Sequence, residues 1–184
     1  MFIDMIRKRT ERFVKKYLLF IYKKGFTPNR ITVISFILLL ISLFLFFYKY
    51  LITGGLFMLL SFLFDAIDGS IARITKSATG FGYFLDKTVD GFRSFSWIIL
   101  AYNNFVSFEL AALVVFFNLL GHSTAHIIKM NKLKNMNIPT LADDLIVFAA
   151  LTTKVTFFCL LNIILGIVFI IANVFAITLL NRKK

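Results

Sequence analysis

Six apolar stretches, separated by short polar or glycine-bearing interruptions, run along this 184-residue chain. They cover residues 31–48, 56–76, 82–102, 105–128, 141–152 and 155–180. A membrane-spanning helix needs about 20 predominantly apolar residues, so all but the fifth are comfortably long enough. Lys49 and Tyr50 close the first stretch, and Thr53-Gly54-Gly55 is expected to form a turn before the second. Ser77 to Gly80 reads as a short loop, Tyr102-Asn103-Asn104 ends the third stretch, a polar loop covers Lys129 to Pro139, and Lys154 marks the last turn. Upstream, Gly25-Phe26-Thr27-Pro28-Asn29 interrupts the chain, with Thr27 placed to cap and Pro28 suited to a first helical turn. Before that break, Phe2, Ile6, Phe13, Tyr17 and Phe20 can share one helical face, while Arg7, Lys8, Glu11, Arg12, Lys15 and Lys16 fall largely elsewhere. That pattern predicts an amphipathic helix lying on a membrane surface with its lysines toward anionic headgroups; a solvated basic tail is the alternative. The fold class is therefore an all-α integral membrane protein. Residues 1–26 form an N-terminal amphipathic interfacial helix, and residues 27–184 a six-transmembrane-helix bundle with no second soluble domain.

Composition supports the membrane assignment. Hydrophobic residues make up 59% of the chain, with 24 phenylalanines, and the mean hydropathy is +0.86. A water-soluble domain of this size does not need so much apolar surface. The net charge of +12 would suggest nucleic acid on a soluble protein. Here the basic residues sit at the ends of apolar spans, so membrane lipids are the expected partner and nucleic acid is not. With six spans, 19 of the 21 Lys and Arg residues fall on one side, and only Lys49 and Lys154 on the other. The positive-inside rule then predicts a multi-pass protein of the cell membrane with both termini cytoplasmic. A five-span arrangement would destroy this asymmetry, which is the reason to accept the short fifth stretch. The single cysteine, Cys159, excludes an internal disulfide. The basic N-terminus lacks a small-residue cleavage site, so no cleavable signal peptide is expected.

Four of the nine acidic residues lie between Asp65 and Asp90, in two pairs. Asp65 and Asp68 are spaced i, i+3, and Asp86 and Asp90 i, i+4, so each pair projects from one side of its helix. The two helices are joined by a short loop, which lets the pairs face each other near the cytoplasmic end. Carboxylates at the edge of an apolar span are costly unless neutralised. Two hard divalent cations, Mg²⁺ or Mn²⁺, would neutralise them, and the absence of His and Cys from the stretch argues against zinc. Two such ions suit phosphoryl transfer. Gly69 and Ala72 lack bulk, so a ribose phosphate or flat base can approach the backbone; Gly82 opens the facing helix in the same way. Arg73 lies about one turn from Asp68 and can pair with a phosphate. Taken singly, the small residues also read as helix packing and Arg73 as positive-inside placement. A divalent-cation channel or carrier would use the same aspartates, although a cation path gains nothing from a fixed arginine beside it.

The spacing Asp65-x2-Asp68-Gly69-x2-Ala72-Arg73-x8-Gly82-x3-Asp86-x3-Asp90 resembles the full signature of the CDP-alcohol phosphatidyltransferases, with all eight fixed positions present. Thr27-Pro28-Asn29 and Thr32 also resemble the segment before the first span in that family. The resemblance implies transfer of a phosphatidyl group, or its archaeal ether-lipid equivalent, from a CDP-linked lipid donor to a small alcohol acceptor, with release of CMP. It implies that Asp65, Asp68, Asp86 and Asp90 hold the two cations and that Asp90 is the base for the acceptor hydroxyl. It assigns Gly69, Ala72, Arg73 and Gly82 to the CDP site, with Asn29 and Thr32 reaching the same phosphates. A homodimer is common in such proteins, but no residue of this chain marks one. A catalytically silent lipid-binding member is a third reading, against which the intact Asp90 argues.

The acceptor is the open position. Family members that use a phosphorylated polyol commonly carry arginines after the fourth span, where this chain has Gly121-His122-Ser123-Thr124-Ala125-His126. That departure weighs against inositol phosphate; glycerol phosphate and inositol phosphate are the acceptors considered, with Arg93, His122, His126 and Lys129 as candidate acceptor residues. Lys132 and Lys134 read equally as positive-inside charges, and the two histidines, lacking a third ligand, as pocket lining or helix-end packing. Asp143 and Asp144 could meet an amine or favour a helix N-terminus.

Overall fold

Pro28 opens the first long helix, as its fixed φ and missing N–H favour. The computed structural model describes residues 15–130 and 145–181. The first fourteen residues of the expected surface helix, most of the Lys129–Pro139 loop, Asp143, Asp144 and the basic C-terminal triplet lie outside the described residues. The described chain is helical throughout its ordered elements: α1 (15–23), α2 (Pro28–Phe47), α3 (Leu51–Thr75), α4 (Gly80–Ser94), α5 (Ser96–Tyr102), α6 (Phe108–Met130), α7 (Leu145–Thr152) and α8 (Val155–Asn181). No strand occurs among the described residues. By length and composition, three described helices could cross a membrane: α2, α3 and Val155–Phe175 of α8. Phe108–Gly121 of α6 is a shorter apolar helix. These helices suit a membrane protein.

The chain divides into two compact units, residues 15–40 with 58–89, and residues 41–57 with the described part of 90–184. The core of the first is Leu18, Ile31 and Ile71, with Ile21, Tyr22, Phe64, Ile67 and Ile74 packed around them. On α1, then, Leu18, Ile21 and Tyr22 are the inward residues, whereas Tyr17 and Phe20, expected on the lipid-facing stripe, are exposed. On α3, Phe64, Ile67, Ile71 and Ile74 form one face, and Asp65, Asp68, Gly69 and Ala72 another, roughly a third of a turn away. Burial of the apolar face fixes the rotation of α3 and with it the direction of the carboxylates. Ser35 Oγ donates to the Ser61 carbonyl at 2.9 Å, and both serines are buried, so α2 and α3 are locked in register where apolar contacts alone would slide.

The second unit corrects two expectations. Thr53-Gly54-Gly55 is not a turn; it lies within the first turns of α3. The reversal happens earlier, at Lys49, whose φ of 67° is left-handed. Gly54 and Gly55 instead allow close packing. A Cβ on Gly54 would stand 2.5 Å from the ring of buried Phe46, and one on Gly55 2.9 Å from Ala150 Cβ. Ser42 Oγ donates to the Gly54 carbonyl at 2.7 Å, a contact that needs this proximity. The third apolar stretch is also not one helix: it breaks at Phe95 into α4 and α5. There the Phe95 N–H bonds Phe92 O, an i→i−3 step, and the Ser96 hydroxyl takes the Arg93 carbonyl. Serine bonding back to the main chain favours a bend in a helix. Downstream, Asn103 Nδ2 donates to the last carbonyls of α2, Phe46 O at 2.7 Å and Phe47 O at 3.1 Å, while the Phe47 ring stacks on Tyr102. Helix α8 packs on α6 and α7, with Phe169 against Gly121 and Phe117 against Gly166.

Candidate metal and nucleotide site

The loop between α3 and α4 is short, and α4 is capped as it begins. Thr79 Oγ1 accepts the Gly82 N–H at 3.0 Å, the bond an N-cap threonine makes to the third helical residue. This cap sets the start, and therefore the rotation, of the helix that carries Asp86. One carboxylate oxygen from each of Asp65, Asp68 and Asp86 lies within 4.8 Å of the others. Asp68 is only 4% exposed, and the other two are half-buried. Lys87 Nζ stands 3.4 Å from Asp86 Oδ2 on an exposed edge. Two carboxylate charges 4.8 Å apart repel by roughly 3 kcal/mol for an effective dielectric near 20. An all-oxygen set of three convergent carboxylates fits a hard divalent cation and gives a soft one no ligand it prefers.

The triad borders a cavity of about 370 Å³. Asn29 and Thr32 of α2, Gly69, Ala72 and Arg73 of α3, and Gly82 of α4 line the same cavity, so the structure brings these sequence-selected positions together. Their surroundings differ. Thr32 is buried and its hydroxyl donates to the Pro28 carbonyl at 3.1 Å. Arg73 is exposed; its Nη2 donates to Ser70 Oγ at 3.1 Å. A Cβ on Gly69 would meet only the Arg73 guanidinium, at 3.4 Å, so the α3 backbone there is open to a bulky guest. Gly82 is different from expectation. A Cβ there would stand 2.6 Å from Asn29 Oδ1 and 3.1 Å from Thr79 Oγ1, so the room it leaves is occupied by the Asn29 carboxamide. The N-terminus of α4 also borders the cavity through Thr79 and Gly82, and a helix N-terminus favours phosphate.

Asp90 and Arg93 are paired with each other. Asp90 follows Asp86 by one turn of α4, and its Oδ1 accepts from Arg93 Nη1 at 2.8 Å. Arg93 is 3% exposed, not the open cation expected of an acceptor residue. His122, His126 and Lys129 fall on α6, where their side chains lie outside the described residues. Sequence reasoning missed Thr79, Ser77 and Tyr83, which line the cavity. Thr79 was findable, since a threonine directly before a helix start is a capping signal. The other two carry no signal that separates them from ordinary loop and helix residues.

The family model for CDP-alcohol phosphatidyltransferases matches residues 26–181. An archaetidylinositol phosphate synthase of Pyrococcus horikoshii is 38% identical over 66 residues, 36% of this chain, and that stretch spans only 35% of the relative's length. Two crystal structures of Mycobacterium tuberculosis phosphatidylinositol phosphate synthase have the same fold. The apo form gives a TM-score of 0.68 at 15% identity, covering 88% of this chain and 94% of that one. The form with CDP-DAG bound gives 0.65 at 18% identity, covering 91% and 92%. Because the family match runs through nearly all of the helical region, the chain belongs to the CDP-alcohol phosphatidyltransferase family.

Proposed function

We propose that this protein transfers a phosphatidyl group, or its archaeal ether-lipid equivalent, from a CDP-linked lipid to an alcohol and releases CMP. One observation carries the reading: three carboxylates within 4.8 Å of one another open onto a cavity that also holds an arginine and an uncovered glycine backbone. Asp65, Asp68, Asp86 and Asp90 would hold two divalent cations, Mg²⁺ or Mn²⁺, whose charge would neutralise the donor's diphosphate. Gly69 and Ala72 leave room for the nucleotide, Asn29 and Thr32 line its phosphate end, and Arg73 pairs with a phosphate oxygen. Asp90 takes the proton of the acceptor hydroxyl. The hydroxyl oxygen then bonds to the lipid-linked phosphorus, the phosphorus–oxygen bond to CMP breaks, and CMP leaves with the electron pair. Arg73 offsets the charge that grows on the leaving phosphate.

A phosphorylated polyol is the acceptor class we assign first, inositol phosphate ahead of glycerol phosphate. The names of the Pyrococcus and Mycobacterium relatives support that order, and Lys129 with its neighbouring lysines supplies cations. The reading includes six crossings, both termini and the aspartates on the cytoplasmic side, residues 1–26 at the interface, and a homodimer in the membrane. Its support is the charge asymmetry of the loops and the three long apolar helices.

The test uses purified full-length chain in detergent with CDP-diacylglycerol or a CDP-linked ether lipid, and a panel of inositol phosphate, glycerol phosphate, inositol and serine. CMP release with one acceptor in Mg²⁺ or Mn²⁺, abolished by a chelator and restored by the metal, is the expected result. No CMP from any combination would sink the proposal.

A further inference from the structure

Asp90 sits where a helix gives a carboxylate little help. It lies in the last turns of α4, which ends at Ser94, and the closing carbonyls of a helix carry partial negative charge. The chain answers with an arginine in the same turn. Arg93 is 3% exposed, Asp90 16%, and Nη1 stands 2.8 Å from Oδ1. Burying a guanidinium is costly, so a buried arginine needs a paired partner to persist. The backbone at Arg93 is fixed as well, because the Ser96 hydroxyl donates to its carbonyl at the break between α4 and α5. Arg93 thus begins from an anchored main chain and ends on one oxygen of Asp90. That contact favours one orientation of the Asp90 carboxylate. It does not present a guanidinium to a soluble phosphate.

We propose that Arg93 is a positioning residue of the transfer reaction: it anchors Asp90 Oδ1 so that the carboxylate is oriented for the acceptor hydroxyl. The proposal rests on the transferase reading above. It predicts a loss in turnover without a loss in either substrate's binding, whereas an acceptor-holding arginine would show the reverse.

The experiment measures CMP release by full-length wild type, Arg93→Gln, Arg93→Lys, Asp90→Asn and the double variant Asp90→Asn/Arg93→Gln. CDP-lipid binding is measured separately by titration calorimetry without acceptor. Arg93→Gln should lower kcat by about 10- to 100-fold, the scale for losing a partner that orients a functional ligand. Its KM for the acceptor and its affinity for CDP-lipid should stay within about threefold of wild type. Arg93→Lys should recover part of the rate, since it keeps the charge and loses the fork. In the Asp90→Asn background, Arg93→Gln should slow the residual rate no further, because its effect passes through Asp90. If Arg93→Gln does not fold, Arg93→Lys and the non-additivity of Asp90→Asn/Arg93→Lys carry the test. A raised acceptor KM at unchanged kcat, full additivity in the double variant, or loss of CDP-lipid binding in both Arg93 variants would overturn the proposal. A wild-type chain that releases no CMP overturns the transferase reading itself, and this inference with it.

Discussion

Gly54 and Gly55 near the start of α3 and Gly69 near its end are the same residue type on one helix, put to opposite uses. At the start, a Cβ would strike the buried Phe46 ring at 2.5 Å or Ala150 Cβ at 2.9 Å. Further along, a Cβ on Gly69 would meet only the end of the Arg73 side chain, at 3.4 Å. The first pair is small so that protein atoms can come close. The second is small beside a cavity of about 370 Å³, where a guest can. Gly82 stands between the cases, for its space holds the Asn29 carboxamide, itself part of the cavity wall. A glycine in a membrane helix therefore gains meaning from what stands within 3 Å of its missing side chain.

Three substitutions separate the two ends of α3. The largest effect is expected from Asp68→Asn, which removes one charge from the triad. CMP release should fall by about 10²–10³-fold, the scale for losing one preorganised charge-stabilising group, while thermal stability is kept or raised as repulsion is relieved. A variant that keeps the wild-type rate would detach the triad from the chemistry. Next, Gly54→Ala should lower stability by about 1–3 kcal/mol, the usual cost of overpacking, with little change in the rate per folded molecule. Thermal unfolding in detergent alongside the CMP assay distinguishes the two. The smallest is Gly69→Ala: stability unchanged, and affinity for the CDP-lipid weaker by about tenfold, or 1.4 kcal/mol, in direct binding. Should Gly69→Ala destabilise the fold and Gly54→Ala weaken donor binding, the two ends of α3 have the opposite roles.

The aspartate pairs were legible because their chemistry is local. The i, i+3 and i, i+4 spacings and a short loop predict convergence of all four; Asp65, Asp68 and Asp86 do converge, while Asp90 is paired with Arg93 one turn further along α4. The boundaries of α2, α6 and α8 followed from hydropathy to within a few residues. Gly54-Gly55 was misread because a glycine pair signals both a turn and close helix packing, and only Phe46 and Ala150, distant in sequence, decide between them. The break at Phe95 was invisible because Trp97 to Tyr102, just after it, continue the hydropathy of the span. Arg93 counted toward the positive-inside charge, a statistical property of loops, when its position three residues after Asp90 offered a specific partner. The inward face of α1 was obscured because that segment is apolar on two sides, and the packing of Ile31 and Ile71 selects Leu18.

The Asn103 side chain has a consequence for biogenesis. It donates to Phe46 O and Phe47 O at the end of α2, and Phe46 O also accepts the Lys49 N–H at 3.0 Å. A nascent chain that has delivered α2 but not yet residue 103 lacks this tie, so the end of α2 is fastened only after the corner following α5 has been synthesised.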